Sequence, residues 1–158
     1  MMQEKDRRED LPLSKAALYL LEECRMVLPG MQALFGFQLI SVFSDTFSKS
    51  LSENEQLFHL VALGLVAIGV ALVMTPAAIH RYTGGRIVTD KFVDQSTQLL
   101  ILSMYPLLVG ICIDFYLIAR MITKSPEISL TITLVLFVIF LFLWAIFPRI
   151  GHRYHKEA

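Results

Sequence analysis

Apolar positions along this chain fall into long runs separated by short polar stretches, unlike the alternation or narrow stripes of a water-soluble domain. A helix needs about 20 mostly apolar residues to cross a hydrocarbon core about 30 Å thick. Three runs meet that requirement. The run from Leu57 to Ile79 is interrupted only by His59, Thr75 and Pro76. Another, from about Thr97 to Met121, carries a carboxylate at Asp114 and a cation near its end at Arg120. The last, Ile128 to Phe147, has no formal charge. Runs of this length outlast ordinary strands and predict helices.

The first apolar run, Val27 to Phe43, is shorter and contains Pro29, Gln32 and Gln38. Its upstream context extends it. Leu13, Ala16, Ala17, Leu20, Leu21 and Cys24 recur at helical spacing, while Lys15, Glu22, Glu23 and Arg25 occupy the remaining positions, so residues 13–26 read as an amphipathic helix. Pro29 removes an intrahelical donor and Gly30 weakens the same turn, which predicts a bend before the helix enters the membrane.

The expectation is an all-α, polytopic membrane protein with four transmembrane helices and an N-terminal amphipathic helical extension. Its parts are a charged cytoplasmic tail at 1–12, the amphipathic helix at 13–26, a four-helix transmembrane domain at 27–148, and a basic cytoplasmic tail at 149–158. The spans lie at about 27–44, 57–79, 97–121 and 128–147. Between them, Ser44–Glu53 reads as an extramembrane loop, with Ser52 and Glu55 spaced as a capping box. Gly84-Gly85 marks a turn in the longest polar link, and Ser125-Pro126 starts the last helix as cap and first-turn proline.

Composition agrees with the runs. Hydrophobic residues make up 55% of the chain and charged residues 18%, the latter gathered in the polar stretches, and the formal net charge is zero. No basic field favours nucleic acid. The opening MMQEKDRRED mixes both charges and no small-residue cleavage site follows, so the N-terminus is expected to be retained. Cys24 and Cys112 lack the paired spacing of a zinc or redox motif and read as small buried hydrophobes.

Basic residues set the expected orientation. Lys15 and Arg25 precede the first span, Arg81, Arg86 and Lys91 lie in the central link, and Arg149, Arg153 and Lys156 lie in the tail. The other two connections offer Lys49 in one and Arg120 and Lys124 in the other, so both termini are expected on the cytoplasmic side.

Asp114 is the sharpest candidate for chemistry, because a carboxylate in hydrocarbon costs roughly 2.5–3.5 kcal/mol on insertion scales and should face protein or water. Gln38, His59 and Thr131 fall at comparable depth on the other helices, with Ser129 and Thr133 nearby. Such a constellation reads either as an ion or proton site or as a hydrogen-bonded set that fixes packing. At the opposite end, Glu22, Glu23, Arg25, Gln32, His80 and Arg81 read as an electrostatic latch or mouth, or as a permanent structural clamp. Gly64, Ala67 and Ala71 form a small-residue stripe for either intramolecular packing or a subunit interface, with Ala62, Gly69 and Ala77 as further small contacts. His152 and His155 sit in a basic tail, and no nucleotide loop, HExxH or nucleophile elbow occurs, so neither a metal nor another cofactor is expected and enzymatic chemistry has little support.

The segments EECRMVLPGMQALFGFQLISVF and TPAAIHRYTGG resemble an uncharacterised prokaryotic family of small four-helix integral membrane proteins, described as a domain of unknown function. Glu22, Glu23, Arg25, Pro29, Gly30, Gln32, Phe35, Phe37, Pro76, Ala77, His80 and Arg81 carry the match, and Asp114 is not among them. The resemblance implies a prokaryotic cytoplasmic (inner) membrane and no known substrate. The expected function is a small channel-like or transport-related protein, conducting a small inorganic ion as a homo-oligomer among membrane lipids. The alternative is a non-catalytic membrane scaffold or accessory subunit.

Overall fold

A computed structural model describes residues 11–83 and 88–149, and they form helices joined by short turns. The helices are α1 (Leu13–Ser41), α2 (Asp45–Ser50), α3 (Glu53–Tyr82), α4 (Asp90–Thr123) and α5 (Pro126–Leu141), the last continuing through a π-helical turn at Phe142–Ile146. The Gly84-Gly85 turn, Arg86, His152, His155 and the outer parts of both expected tails lie outside the described residues.

Polar residues at the turns explain where these helices begin. Ser52 caps α3 with the reciprocal bonds expected of it: Ser52 N–H donates to Glu55 Oε2 at 2.9 Å, and Glu55 N–H donates to Ser52 Oγ at 3.4 Å. Thr89 caps α4 by accepting from Phe92 N–H at 3.2 Å, so α4 starts well before the apolar run at 97. That extra first stretch is polar in sequence but lays Phe92 and Ser96 against the bundle. Ser125 caps α5, with Pro126 in the first turn, where a missing N–H costs nothing.

The residues expected as an amphipathic helix and a first span belong to one helix, α1. It runs unbroken from Leu13 to Ser41 with Pro29 inside it. The proline leaves only the carbonyl one turn back, that of Arg25, without its helical donor, and Pro29 sits on the exposed side of the helix. Ala17, Leu20, Cys24, Met31 and Gln38 form one buried face along the whole length. Pro76 and Pro106 are likewise carried inside α3 and α4.

α3 and α4 make the most extensive contact, α1 lies against both, and α5 packs principally on α4. Two glycines permit the closest approaches. A Cβ at Gly110 would lie 3.1 Å from both the Ala62 carbonyl oxygen and Val66 Cγ2, so α3 and α4 touch there almost backbone to backbone. A Cβ at Gly69 would lie 2.9 Å from the terminal methyl of Met31, which is where α1 seats itself on α3. Around Met31 the core gathers Leu20, Cys24 and Val73, with Leu28, Val70, Val93, Leu100 and Leu107 packed against them.

Small residues at the interface let ridges and backbones close up where oil gives no hydrophobic drive. The stripe at Gly64, Ala67 and Ala71 faces outward instead, while Ala62 and Gly69, from the second set, fill the intramolecular contact. Three helices, Glu53–Tyr82, Asp90–Thr123 and Pro126–Arg149, are long and apolar enough to cross a membrane. Their exposed faces carry Phe58, Leu60, Ile68, Met74, Ile101, Ile118, Leu134 and Val138, side chains that water would penalise and acyl chains would not.

Candidate functional site

The end of the bundle where α1 and α4 finish and α3 begins holds a buried polar cluster. Gln38 lies in the last turn of α1, where carbonyls have no helical donor ahead of them. Its side chain reaches α4, Nε2 donating to Asp114 Oδ2. His59 stands six residues into α3, about 9 Å along the helix from Glu53. Its Nδ1 lies 2.9 Å from Asp114 Oδ1, and its Nε2 lies 3.0 Å from the Gln38 carbonyl oxygen. Ser41 Oγ is 3.2 Å from the same Nε2 and donates its own hydrogen to the Gln38 carbonyl at 2.7 Å. Gln38 is 4% exposed and His59 7%, so both are buried, while Asp114 and Ser41 are partly buried.

A carbonyl oxygen only accepts, so the contact with Gln38 takes its hydrogen from His59 Nε2. The contact of Nδ1 with Asp114 Oδ1 is an ion pair when the ring is protonated.

α2 closes this end. Its Phe47 ring meets the His59 ring edge-on, with centroids 5.1 Å apart and planes at 65°. Beside the cluster lies a cavity of about 420 Å³, lined mainly by apolar side chains including Leu34, Phe37, Phe47, Leu117, Ile118 and Met121, with Gln38, Ser41, His59 and Asp114 on its wall. Gln38 Oε1 is buried and has no hydrogen-bond partner among the described residues. Further toward the end, Arg120 Nε lies 3.7 Å from Glu55 Oε1 and joins α4 to the first turn of α3.

Gln38, His59 and Asp114 therefore come together as one hydrogen-bonded set. Thr131 does not join them. Its hydroxyl donates back to the Glu127 carbonyl at 2.8 Å and the residue is exposed. Ser129 is the α5 residue turned inward, and two positions further on a helix points to the opposite side. Ser129 bonds locally, to Thr123 Oγ1 at 2.9 Å and to the Ser125 carbonyl at 2.7 Å.

The residues expected to form a latch stay apart. Glu22, Glu23, Arg25 and Gln32 are exposed, because the buried positions 20, 24 and 31 turn them away from the bundle. His80 packs its ring against Phe92 at 5.8 Å, and Arg81 is exposed beside Ala77 and Ala78. Among the described residues no ion pair joins Glu22, Glu23 or Arg25 to His80 or Arg81.

Sequence reasoning missed Ser41, Phe47 and Leu51, all part of the cavity wall. A signal existed: Phe47 and Leu51 are apolar at four-residue spacing in an otherwise polar stretch that opens on Ser44, whose hydroxyl caps α2. The Arg120–Glu55 pair left no such trace, since nothing in sequence aligns the end of one crossing helix with the start of another.

A helical chain with three membrane-length apolar helices, and with its buried ionisable groups gathered among them, is a multi-pass membrane protein. Residues 12–148 match the model of a family of unknown function, DUF6328, and the chain belongs to that family. No curated protein and no solved structure matches it.

Proposed function

We propose that this chain is a small, non-enzymatic, transport-related membrane protein whose working site is the Gln38–His59–Asp114 cluster. One observation supports the reading above others: three helices each bring a polar side chain, two of them ionisable, into one hydrogen-bonded cluster at a cavity wall. Packing alone has no need of it, since buried ion pairs replaced by hydrophobes of similar volume often leave a protein as stable or more so. Ionisable groups kept between crossing helices mark proton and ion paths.

In this reading α1 supplies a fourth crossing, its Met26, Val27, Phe37, Leu39 and Ile40 facing lipid. The chain sits in a prokaryotic inner membrane with both termini cytoplasmic, as the distribution of basic residues favours. Several copies enclose the path for a proton or small cation, a homo-oligomer supported by the outward stripe at Gly64, Ala67 and Ala71. The test is ion flux in proteoliposomes of the purified protein, read with a pH-sensitive dye and then across a panel of cations. The wild type should carry a flux that Asp114→Asn reduces at least tenfold. No flux under any condition, or an unchanged flux in the variant, contradicts the proposal.

A second reading, a membrane scaffold or accessory subunit, is favoured by α5. That helix packs principally on α4 and leaves Ile128, Leu130, Leu134, Val135 and Val138 more than half exposed. A partner helix would cover them. Purification in mild detergent distinguishes the two: a stoichiometric partner of different sequence supports the scaffold, and copies of this chain alone support the pore.

A further inference from the structure

We infer that the groove between α1, α2 and the C-terminal end of α4 binds one anionic phospholipid, its phosphate held by Arg120 and Lys124 and one of its acyl chains lying in the apolar cavity beside Met121. The inference goes beyond the transport reading and needs neither the Gln38 side chain nor any protonation state of His59 and Asp114.

Two adjoining cavities carry it. The first, of about 420 Å³, is hydrocarbon over most of its wall, with Leu34 and Phe37 from α1, Phe47 from α2, and Leu117, Ile118 and Met121 from α4. The second, of about 220 Å³, is lined by Ser50, Glu55, Arg120, Met121 and Lys124. Met121 is common to both, and Ser50 of the second precedes Leu51 of the first. An apolar slot thus runs into a polar one at the end of a membrane-length helix, the order of a lipid tail and its head. Phe37 and Ile118, both on the wall of the slot, are 72% and 56% exposed, so a chain enters sideways from the bilayer. Scaled from an apolar cavity of about 150 Å³ that holds benzene, the slot takes roughly 15 carbons, which is one acyl chain and not two.

Charge selects the head. The polar cavity carries two cations against one carboxylate. Glu55 is already engaged, its Oε2 accepting from Ser52 N–H at 2.9 Å and from Ser52 Oγ at 2.8 Å. Arg120 Nε lies 3.7 Å from Glu55 Oε1, close enough for attraction and too far for a hydrogen bond, which leaves the guanidinium fork to a phosphate. Lys124 has no ion pair among the described residues. It caps α4 in the left-handed region at φ 54°, where glycine is the usual residue, so an ammonium stands at the polar cavity at some backbone cost. Neighbouring charges do not cancel these two: Asp45 pairs with Lys49, and Glu53 and Glu127 lie outside the wall. Asp114 is six residues before Arg120, about 9 Å along α4, which keeps the phosphate clear of that carboxylate.

The experiment uses the full chain in phosphatidylcholine nanodiscs with methionine methyls labelled with carbon-13, while phosphatidylglycerol of the same acyl chains replaces part of the lipid. Met121 lines both cavities, Met74 is an exposed methionine on α3 away from them, and Met31 reports the core. The Met121 signal should move and saturate while the anionic lipid is still a minority, with Met74 and Met31 unmoved. Arg120→Gln combined with Lys124→Gln should raise the fraction required about tenfold, an unchanged Met31 signal showing the fold intact. Lys49→Gln, which removes a cation at the same end of the bundle but outside the wall, should leave the titration as it is. Glycerol phosphate, the head without its chains, should move nothing.

No movement at Met121, equal movement at Met74 from bulk lipid composition alone, an unchanged titration in the double variant, or an equal response to glycerol phosphate would each overturn the inference. Flux plays no part in the readout, so the lipid site and the transport reading are decided separately.

Discussion

His59 faces the Gln38 carbonyl on one side of its ring and the Asp114 carboxyl on the other, and a carbonyl can only accept. Nitrogen-15 NMR of the labelled side chain should therefore find Nε2 protonated. A ring protonated on Nδ1 alone, with Nε2 bare, would contradict the assignment. Asp114→Ala removes the acceptor that both Gln38 Nε2 and His59 Nδ1 depend on, and should cost about 1–2 kcal/mol, the upper part of the range for polar contacts between membrane helices. By contrast Asp45→Ala, which breaks the exposed Lys49–Asp45 contact at 3.4 Å, should leave stability within error. Both are read from denaturant titrations in mixed micelles. Asp114, Gln38 and His59 stood out in the sequence because a polar group inside an apolar run demands a partner. Thr131 failed as a member because a threonine can satisfy itself on its own helix, so its presence demands nothing.

Helix ends and helix contacts obey separable rules, and the two were unequally legible. Capping chemistry is local, so the starts of α3 and α5 could be read from Ser52, Glu55, Ser125 and Pro126. The true start of α4 at Asp90 was hidden because its first turns are polar outside and bury only Phe92 and Ser96. The π-helical turn at Phe142–Ile146, where Phe140 stacks on Trp144 with centroids 5.0 Å apart, has no sequence signature at all in so uniformly apolar a run. Contacts depend on which small residues face inward, and periodicity alone could not divide Ala62 and Gly69 from Gly64, Ala67 and Ala71. The division is testable. Gly110→Ala pushes a methyl to 3.1 Å from the Ala62 carbonyl and should destabilise by about 1–3 kcal/mol. Gly69→Ala crowds the flexible end of Met31 and makes only ordinary contacts with the Ser103 carbonyl and Leu107, so it should cost less, while Gly64→Ala, with nothing within 4 Å, should cost nothing. A ranking in which Gly64→Ala is the most damaging would refute this assignment of faces.

For the molecule as a whole, every functional statement depends on α1 entering the membrane beside α3 and α4, because Gln38 reaches Asp114 only from there. α1 carries charges at Lys15, Glu22, Glu23 and Arg25 and is the least apolar of the long helices, yet its buried face from Ala17 to Gln38 is continuous with the bundle. Hydropathy marks three helices without difficulty and cannot place α1, whose second half is apolar and whose first half is not. Packing places it against α3 and α4, and a crossing follows if the bundle is embedded to the depth of the cluster. The direct measurement is thiol labelling with a membrane-impermeant reagent in native vesicles, using Cys24→Ala and Cys112→Ala as background. Single cysteines replace Ser14, just before α1 is fully under way, and Ser48 in α2. With α1 as a crossing helix the two positions label from opposite sides of the membrane, Ser48 from outside and Ser14 only after permeabilisation. Labelling of both from the same side would leave α1 on the surface, take Gln38 out of the hydrocarbon, and contradict the account.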